Sequence, residues 1–234
     1  MPRAEARFLI GATVSRTADK WFIAIQVEMP DAKRIHTSES QAVGVDLGVK
    51  ALAALSDGTI FTGSKAGRTT EKKLCRLNQE LSRGIGAKKG EKQSNNFKKT
   101  KMKTARLYAR SANMRSDETH KITTELTRKF GVMGIEDLNV KGMMKNHKLA
   151  RSIADMSFFE FRRQLEYKAK ETGTKIVVAD PWFASSKICH ICGEKHDALT
   201  LKDREWTCTR CATRHDRDVN AAINLRNYAV QSTA

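Results

Sequence analysis

Two sets of residues have the types and spacing to do chemistry. Cys189-x2-Cys192, a gap of fifteen residues, and Cys208-x2-Cys211 give the pattern in which each cysteine pair sits on a tight knuckle and four thiolates close a tetrahedron around zinc. Four sulfur ligands leave such an ion no open position, so its task is structural. Two disulfides are the rival reading, and they need an oxidising compartment. The opening Met1-Pro2-Arg3-Ala4 does not read as a secretory leader, so the expected location is cytoplasmic. His190, His196 and His215 are then surplus and expected at the surface. Trp206 is expected to pack over the zinc module, and Cys75, on a distant helix, reads as a buried or neutral thiol.

The second set is acidic: Asp46, Glu136, and one Asp of Asp216-Arg217-Asp218-Val219-Asn220-Ala221-Ala222. A lone acid at an element end is ordinarily a solvated turn residue. Three of them in a chain otherwise suited to attracting phosphates suggest hard-oxygen ligands for Mg²⁺, which prefers carboxylates and water. Helical phase selects within the last motif. Asp218, Ala222, Leu225 and Ala229 share one face, whereas Asp216 lies outside it and is placed to cap the helix N-terminus. Asn220 reads as a neighbour that orients a ligand or contacts phosphate.

The chain around these residues is basic. It has 234 residues, with 43 Lys plus Arg against 26 Asp plus Glu, a net charge of +17. Residues 65–129 alone carry 19 basic against 6 acidic side chains. A field of that sign collects polyanions, because neutralising phosphates releases condensed counterions. Nucleic acid is therefore the leading partner, ahead of an anionic membrane, and a solvated helical surface is the bland alternative. The length and 40% hydrophobic content support a buried core and exclude a disordered chain or a disulfide-stapled miniature. No apolar run is long enough to span a membrane.

Several elements must position these groups. Phe8–Val14 and Trp21–Val27 predict a hairpin joined by the polar turn 15–19. Residues 42–48, 52–55 and 59–61 predict a three-strand antiparallel meander, with Asp46 near the end of its first strand. Leu74, Leu77 and Leu81 predict a helix from about residue 67; an aperiodic tract follows over 84–96, and a long helix over about 97–129. Together these make a basic helical hairpin whose candidate nucleic-acid contacts are Lys73, Arg76, Lys99, Lys103, Arg106 and Arg110. Residues 131–136 predict a strand ending in Glu136, and 140–156 an irregular loop. Ser157 and Glu160 suggest a capping box opening a helix along Phe158, Phe161, Leu165 and Ala169, which stops before Gly173. Lys175–Ala179 is the next strand. Two strands around one helix make a βαβ crossover, so the sheet is expected to be mixed.

Val43-Gly44-Val45-Asp46-Leu47-Gly48, Gly134-Ile135-Glu136-Asp137-Leu138-Asn139, Ser185-Ser186-Lys187 and Asp216-Arg217-Asp218-Val219-Asn220-Ala221-Ala222 resemble the motifs of TnpB, the OrfB-type protein of bacterial insertion sequences. Their order and spacing agree from about Ile10 to the C-terminus. This family is related to the nucleases of type V CRISPR systems. The resemblance implies an α/β fold with a RuvC-type, RNase H-like mixed sheet and flanking helices, an inserted zinc ribbon, and an N-terminal β-hairpin remnant of a wedge barrel. The corresponding parts are 1–40, the wedge-like hairpin; 41–180, the nuclease domain with the basic helical hairpin 67–129; 181–214, the ribbon; and 215–234, the final motif and C-terminal helix.

The resemblance also implies a catalytic triad at Asp46, Glu136 and Asp218, two catalytic Mg²⁺ ions bridged by Asp46, one structural zinc, and RNA-guided cleavage of DNA. In this reading DNA and a guide RNA are the partners. Full-length members carry a long recognition region ahead of the first acidic motif, while here 45 residues precede Asp46. The likeness is thus to the C-terminal half of the family, and a homodimer or a complementing chain is the partner that would supply the rest. Two other functions fit the same residues: a non-cutting nucleic-acid-binding regulator or accessory factor of a mobile element, and a guide-independent, structure-selective nuclease.

Overall fold

The computed structural model of the chain describes residues 8–28, 41–64, 66–84, 93–200 and 202–233. Residues 1–7 and 29–40 of the expected wedge-like segment, and 85–92 of the aperiodic tract, lie outside the described residues. The chain divides into two compact units, Met1–Lys33 with Lys65–Ser116, and Arg34–Ser64 with Asp117–Ala234.

In the first unit, β1 (Phe8–Thr17) and β2 (Lys20–Glu28) form an antiparallel hairpin. The strands extend further into the turn than the five-residue segment 15–19, four of its residues polar, suggested. Thr17 pairs with Lys20, and Ala18 takes φ 56°, so the connection is the two residues Ala18 and Asp19. Paired backbone outweighed side-chain polarity at positions 15–17, because a two-residue turn with positive φ at its first residue matches the twist of the strands. Leu9, Trp21, Ile23 and Ile25 are exposed along the hairpin. The unit also holds α1 (Ala66–Gly84) and the part of α2 (Asn95–Lys129) up to Ser116. Leu77 is buried on α1, and Asn78 bonds to the Tyr108 hydroxyl at 3.3 Å. The Phe97 ring lies where a side chain on Gly84 would be, 2.7 Å from that Cβ position. Cys75 is exposed, which corrects the buried half of the buried-or-neutral reading: it lies outside the stripe that Leu77 leads into the contact.

The second unit is built on a five-stranded mixed sheet in the order β5-β4-β3-β6-β7. β3 (Ala42–Leu47), β4 (Ala53–Leu55) and β5 (Ile60–Phe61) form an antiparallel meander. β6 (Val132–Ile135) pairs parallel with β3, and β7 (Lys175–Val178) parallel with β6. Val43, Val45, Met133 and Ile135 point from one face into a core with Ile122 and Leu126 of α2. Ile153 and Met156 of α4 (Ala150–Met156) and Phe158, Phe161 and Leu165 of α5 (Phe158–Thr172) complete that layer. Beneath them Lys168 donates from Nζ to Thr123 Oγ1 at 2.7 Å, Thr124 Oγ1 at 2.8 Å and the His120 carbonyl at 2.9 Å, so the buried cation is satisfied.

The region 140–156 is not the loop that its lack of period suggests. It forms α3 (Val140–Met144) and α4, with Asn139 capping α3 through Oδ1, which accepts from the Gly142 amide at 2.9 Å. Helices of five and seven residues are too short to display a 3.6-residue stripe. Their continuation also removes the capping box. Ser157 sits between α4 and α5 at φ 52°, ψ 40°, outside the extended geometry an N-cap needs, and its hydroxyl donates back to the Ala154 carbonyl. Glu160 instead pairs with Arg163.

β8 (Glu205–Thr207) and β9 (Arg214–Asp216) make a short ribbon, and α6 (Arg217–Gln231) follows. Asp216 caps it as expected, accepting at Oδ1 from the amides of Asp218 and Val219 at 3.0 and 2.9 Å. Ala222, Leu225 and Ala229 are fully buried along one face. Among the described residues no helix is long and apolar enough to cross a membrane.

Candidate active site and metal centre

Sheet register brings the acids together. Gly44 lies opposite Gly134 and Val45 opposite Ile135, so Asp46 and Glu136, one step further along parallel neighbours, stand side by side. Alternation puts Asp46 on the face of Gly44 and Glu136 on the face of Gly134, opposite to the core valines. That glycine face carries α6. A Cβ on Gly44 would fall 1.7 Å from the Ala222 carbonyl oxygen, and one on Gly134 would fall 2.2 Å from that of Leu225. The helix rests on bare backbone, and Asp218, one turn before Ala222, arrives beside the other two acids.

The electrostatics record that proximity. Burial first, then the charges of Glu136 and Asp218, raise the Asp46 carboxyl well above its ordinary range, with Arg217 opposing. Burial also raises Glu136, against hydrogen bonds from Ser185 and Asp46 and the charge of Arg217. Asp46 and Glu136 thus lie close enough for each to shift the other. The Ser185 hydroxyl donates to Glu136 Oε1 at 2.6 Å. Asp218 is held by two arginines: Arg217 Nη2 lies 2.9 Å from Oδ1, and Arg204 Nη1 lies 3.4 Å from Oδ2.

An all-carboxylate set is the donor chemistry that Mg²⁺ selects. The three carboxylates are nonetheless more open than the cysteine cluster, the one group among the described residues whose ligand atoms all fall within 4.8 Å of one another.

Cys189, Cys192, Cys208 and Cys211 converge, with Cys189 and Cys211 sulfurs 3.6 Å apart and Cys192 and Cys208 sulfurs also 3.6 Å apart. The edge of a tetrahedron with metal–sulfur bonds of about 2.3 Å is about 3.8 Å, so the spacing fits zinc. It is far longer than the roughly 2.05 Å of a disulfide. Hydrogen bonds from Thr213, side chain before backbone, draw the Cys211 thiol down to about 6, whereas at Cys192 a lowering backbone hydrogen bond at Glu194 is outweighed by burial and the other three thiols, which push it up to about 12. Trp206 is buried against Cys189, Leu199 and Cys208, as expected.

The histidines are not surplus surface groups. His215 is buried, with Nε2 3.2 Å from Cys189 Sγ. Its ring meets Trp206 at 4.7 Å and His190 at 4.8 Å, while His196 edges onto Trp206 at 5.5 Å. Burial, with His190 second, pushes the His215 imidazolium down. His215 follows β9 alternation inward toward the sulfurs, which the cysteine spacing does not reveal.

Asn220 also has a different place from the one its motif suggested. It is buried, donates from Nδ2 to the Ile188 carbonyl at 2.8 Å and accepts at Oδ1 from the His190 amide at 3.1 Å. Asn224, one turn on, donates from Nδ2 to the carbonyls of Ser185 and Ile188 at 2.8 and 2.6 Å. Both amides are consumed in tying α6 to the first cysteine knuckle. Arg217, Arg204, Ser185 and Asn224 are the site residues that sequence reasoning passed over. Arg217 lies between two acids of one motif and Ser185 begins a motif of its own, so position alone could have flagged them.

Of the basic candidates in the first unit, Lys73, Arg76, Lys103, Arg106 and Arg110 line one groove of about 510 Å³ between α1 and α2, and Lys99 is not among its lining residues. Arg106 is paired with Asp19 at 2.7 Å and Arg76 with Glu80 at 3.4 Å.

Residues 24–147 match the family model OrfB_IS605, described as "Probable transposase". The chain belongs to the OrfB, TnpB-like family. Residues 158–225 of this OrfB chain match the Cas12f1-like TNB domain. A protein of Streptomyces pristinaespiralis named "Putative RNA-guided DNA endonuclease" is 42% identical over 95% of the chain and 53% of the relative. "Putative RNA-guided DNA endonuclease InsQ" of Escherichia coli K12 is 36% identical over 91% of the chain and 55% of the relative. The OrfB chain therefore spans about half the length of these curated relatives. Its mixed α/β fold is similar to that of the protein in a cryo-EM structure of a Cas12f1-sgRNA-target DNA complex, with a TM-score of 0.57 and 18% identity over 92% of this chain and 55% of that one.

Proposed function

We propose that this chain carries the nuclease half of an RNA-guided DNA endonuclease of a mobile element, on an RNase H-like, RuvC-type sheet with an inserted zinc ribbon. The observation that supports it most is the meeting of Asp46, Glu136 and Asp218 at one end of β3, β6 and α6, through glycines that leave the helix no other seat. Its membership in a family with relatives named as RNA-guided DNA endonucleases points the same way.

In this reading Asp46, Glu136 and Asp218 hold Mg²⁺, which supplies an activated water and neutralises charge on the leaving oxygen. Asp46, whose folded carboxyl is raised above its ordinary range, would hold the ion as the carboxylate, with its proton released to water. Ser185 fixes the Glu136 carboxylate, and Arg217 and Arg204 exchange Asp218 for a phosphate oxygen of the strand. Two cations are thereby kept at the site while the acids turn to metal, which limits repulsion of the polyanion. The cysteines hold zinc and fix the segment that carries Ser185. The basic groove of α1 and α2 takes a nucleic-acid backbone by contacts that are salt-sensitive and nearly blind to sequence.

The test uses purified chain, Mg²⁺, and single-stranded or guide-matched DNA. Cleavage is expected from the wild type and lost in Asp46→Ala and in Asp218→Ala; equal cleavage by all three would remove the triad. Zinc is expected at about one per chain. A discrete RNA copurifying with the protein supports guided cutting, whereas cleavage with none favours the structure-selective reading.

A further inference from the structure

Val178 of β7 pairs with Ile135, the residue before Glu136, so the chain leaving β7 emerges beside that acid. There it makes a tight turn: Asp180 Oδ1 accepts from the Trp182 amide at 2.8 Å, and the Asp180 carbonyl accepts from the Phe183 amide at 2.9 Å. Pro181 fixes φ at the corner. On the far side the Phe183 ring packs on Tyr228 at 5.0 Å, and Ser185 turns inward to Glu136. Both flanks are pinned, and Trp182 between them is left 90% exposed. Its indole stands on the rim of a groove of about 480 Å³ that Glu136, Leu138, Met143 and Asp180 also line.

An indole left 90% exposed on a pinned turn is a costly apolar group to leave in water, and nothing in the packing of this unit requires it. The groove's chemistry narrows the occupant. Glu136, Asp137 and Asp180 make one wall acidic, each already held by one partner, Ser185, Arg162 and the Trp182 amide, and their remaining oxygens suit the amino groups of a base better than a sugar-phosphate backbone. The strand already drawn to the carboxylates presents such bases, and every base has a face to stack.

The geometry points to Trp182 as a stacking platform for one unpaired base of the strand held at the carboxylates. This site rests on the nuclease reading for the strand's presence and adds a positioning residue to it: the stacked base sets where the neighbouring phosphate stops relative to Asp46 and Glu136.

The test uses the full chain, Ca²⁺ in place of Mg²⁺ to keep the strand uncut, and a short single-stranded oligodeoxynucleotide bearing one 2-aminopurine. Wild type is expected to quench that fluorophore. Trp182→Ala is expected to lose the quenching and weaken binding by roughly tenfold, with Trp182→Phe retaining most of both. Because Trp182 is exposed, the alanine variant keeps its thermal midpoint. Unchanged quenching and affinity in Trp182→Ala overturn the proposal, as does Trp182→Ala that loses a protein partner while binding the strand normally. Wild type that quenches but never cuts with Mg²⁺ overturns the nuclease reading and leaves the platform standing. Wild type that cuts, with a Trp182→Ala variant equal to it in kcat/KM and quenching, does the reverse, and wild type that binds no strand overturns both.

Discussion

The four cysteines lie within 23 residues of chain and meet through two tight knuckles, whereas the three carboxylates lie 90 and 82 residues apart and meet through strand register and one helix. The sulfurs draw to within 4.8 Å of one another, and their geometry already fits a metal. The acids are pushed toward their protonated forms by burial and by one another, and Asp218 leans on two arginines. One site is closed by local chain geometry; the other is held by the fold against its own electrostatics. Each should therefore fail in its own way.

Zinc removal should give the largest effect, since structural zinc contributes about 10–16 kcal/mol of binding free energy in small modules. Cys208→Ser, or chelation of the wild type, is expected to open the segment 187–216 to proteolysis. Protection of β3, β6 and α5 in hydrogen exchange should persist. Loss of protection through the five-stranded sheet would mean that the two centres are not separately built.

Gly44→Val attacks the other centre. With the Ala222 carbonyl 1.7 Å from the new Cβ, neither backbone can yield without moving α6 off the sheet. A loss of about 4 kcal/mol or more is expected in denaturant unfolding, at the upper end for point substitutions. A loss under about 1 kcal/mol would show that α6 does not seat on β3 as described.

The pH dependence tests the carboxylate centre. Asp46 and Glu136 have raised pKa values when folded, so the metal-free native state holds protons that the unfolded chain releases in the ordinary carboxylate range near about 4. Their contribution is fully present below that range and lost as pH rises through the folded values. Asp46→Asn should therefore gain on wild type in thermal midpoint as pH rises from about 4, and Mg²⁺ should narrow the gap by stabilising wild type alone. A flat difference curve would show that Asp46 is not under strain.

How much of this could be read beforehand follows the same division. Cysteine spacing specified its cluster because the ligands are close in chain. The phase of Asp218, Ala222, Leu225 and Ala229 identified the buried face of α6, because fifteen residues display a helical stripe. The paired glycines that seat that helix were visible as residues but not as a contact, since register with a strand some 90 positions away is a property of the whole sheet. Helices α3 and α4 escaped for want of length. Inward His215 and the knotting role of Asn220 escaped because polar residues are assigned to the surface by default, and burial with satisfied hydrogen bonds is decided by neighbours.

Ser185 is where the two regions touch, and it gives the smallest and sharpest prediction. Its carbonyl accepts from Asn224, which also binds Ile188 beside Cys189, while its hydroxyl donates to Glu136. Removing the hydroxyl leaves both cysteines and carboxylates in place but frees Glu136 to rotate. Ser185→Ala should cost about 1 kcal/mol in stability and leave zinc content unchanged. Apparent Mg²⁺ affinity, read by calorimetry on the uncut complex, should fall by about ten- to a hundredfold, as for other groups that orient a metal ligand. If Ser185→Ala instead lost zinc and kept Mg²⁺ affinity, the hydroxyl would belong to the knuckle, and the carboxylates would be positioned by the sheet and α6 alone.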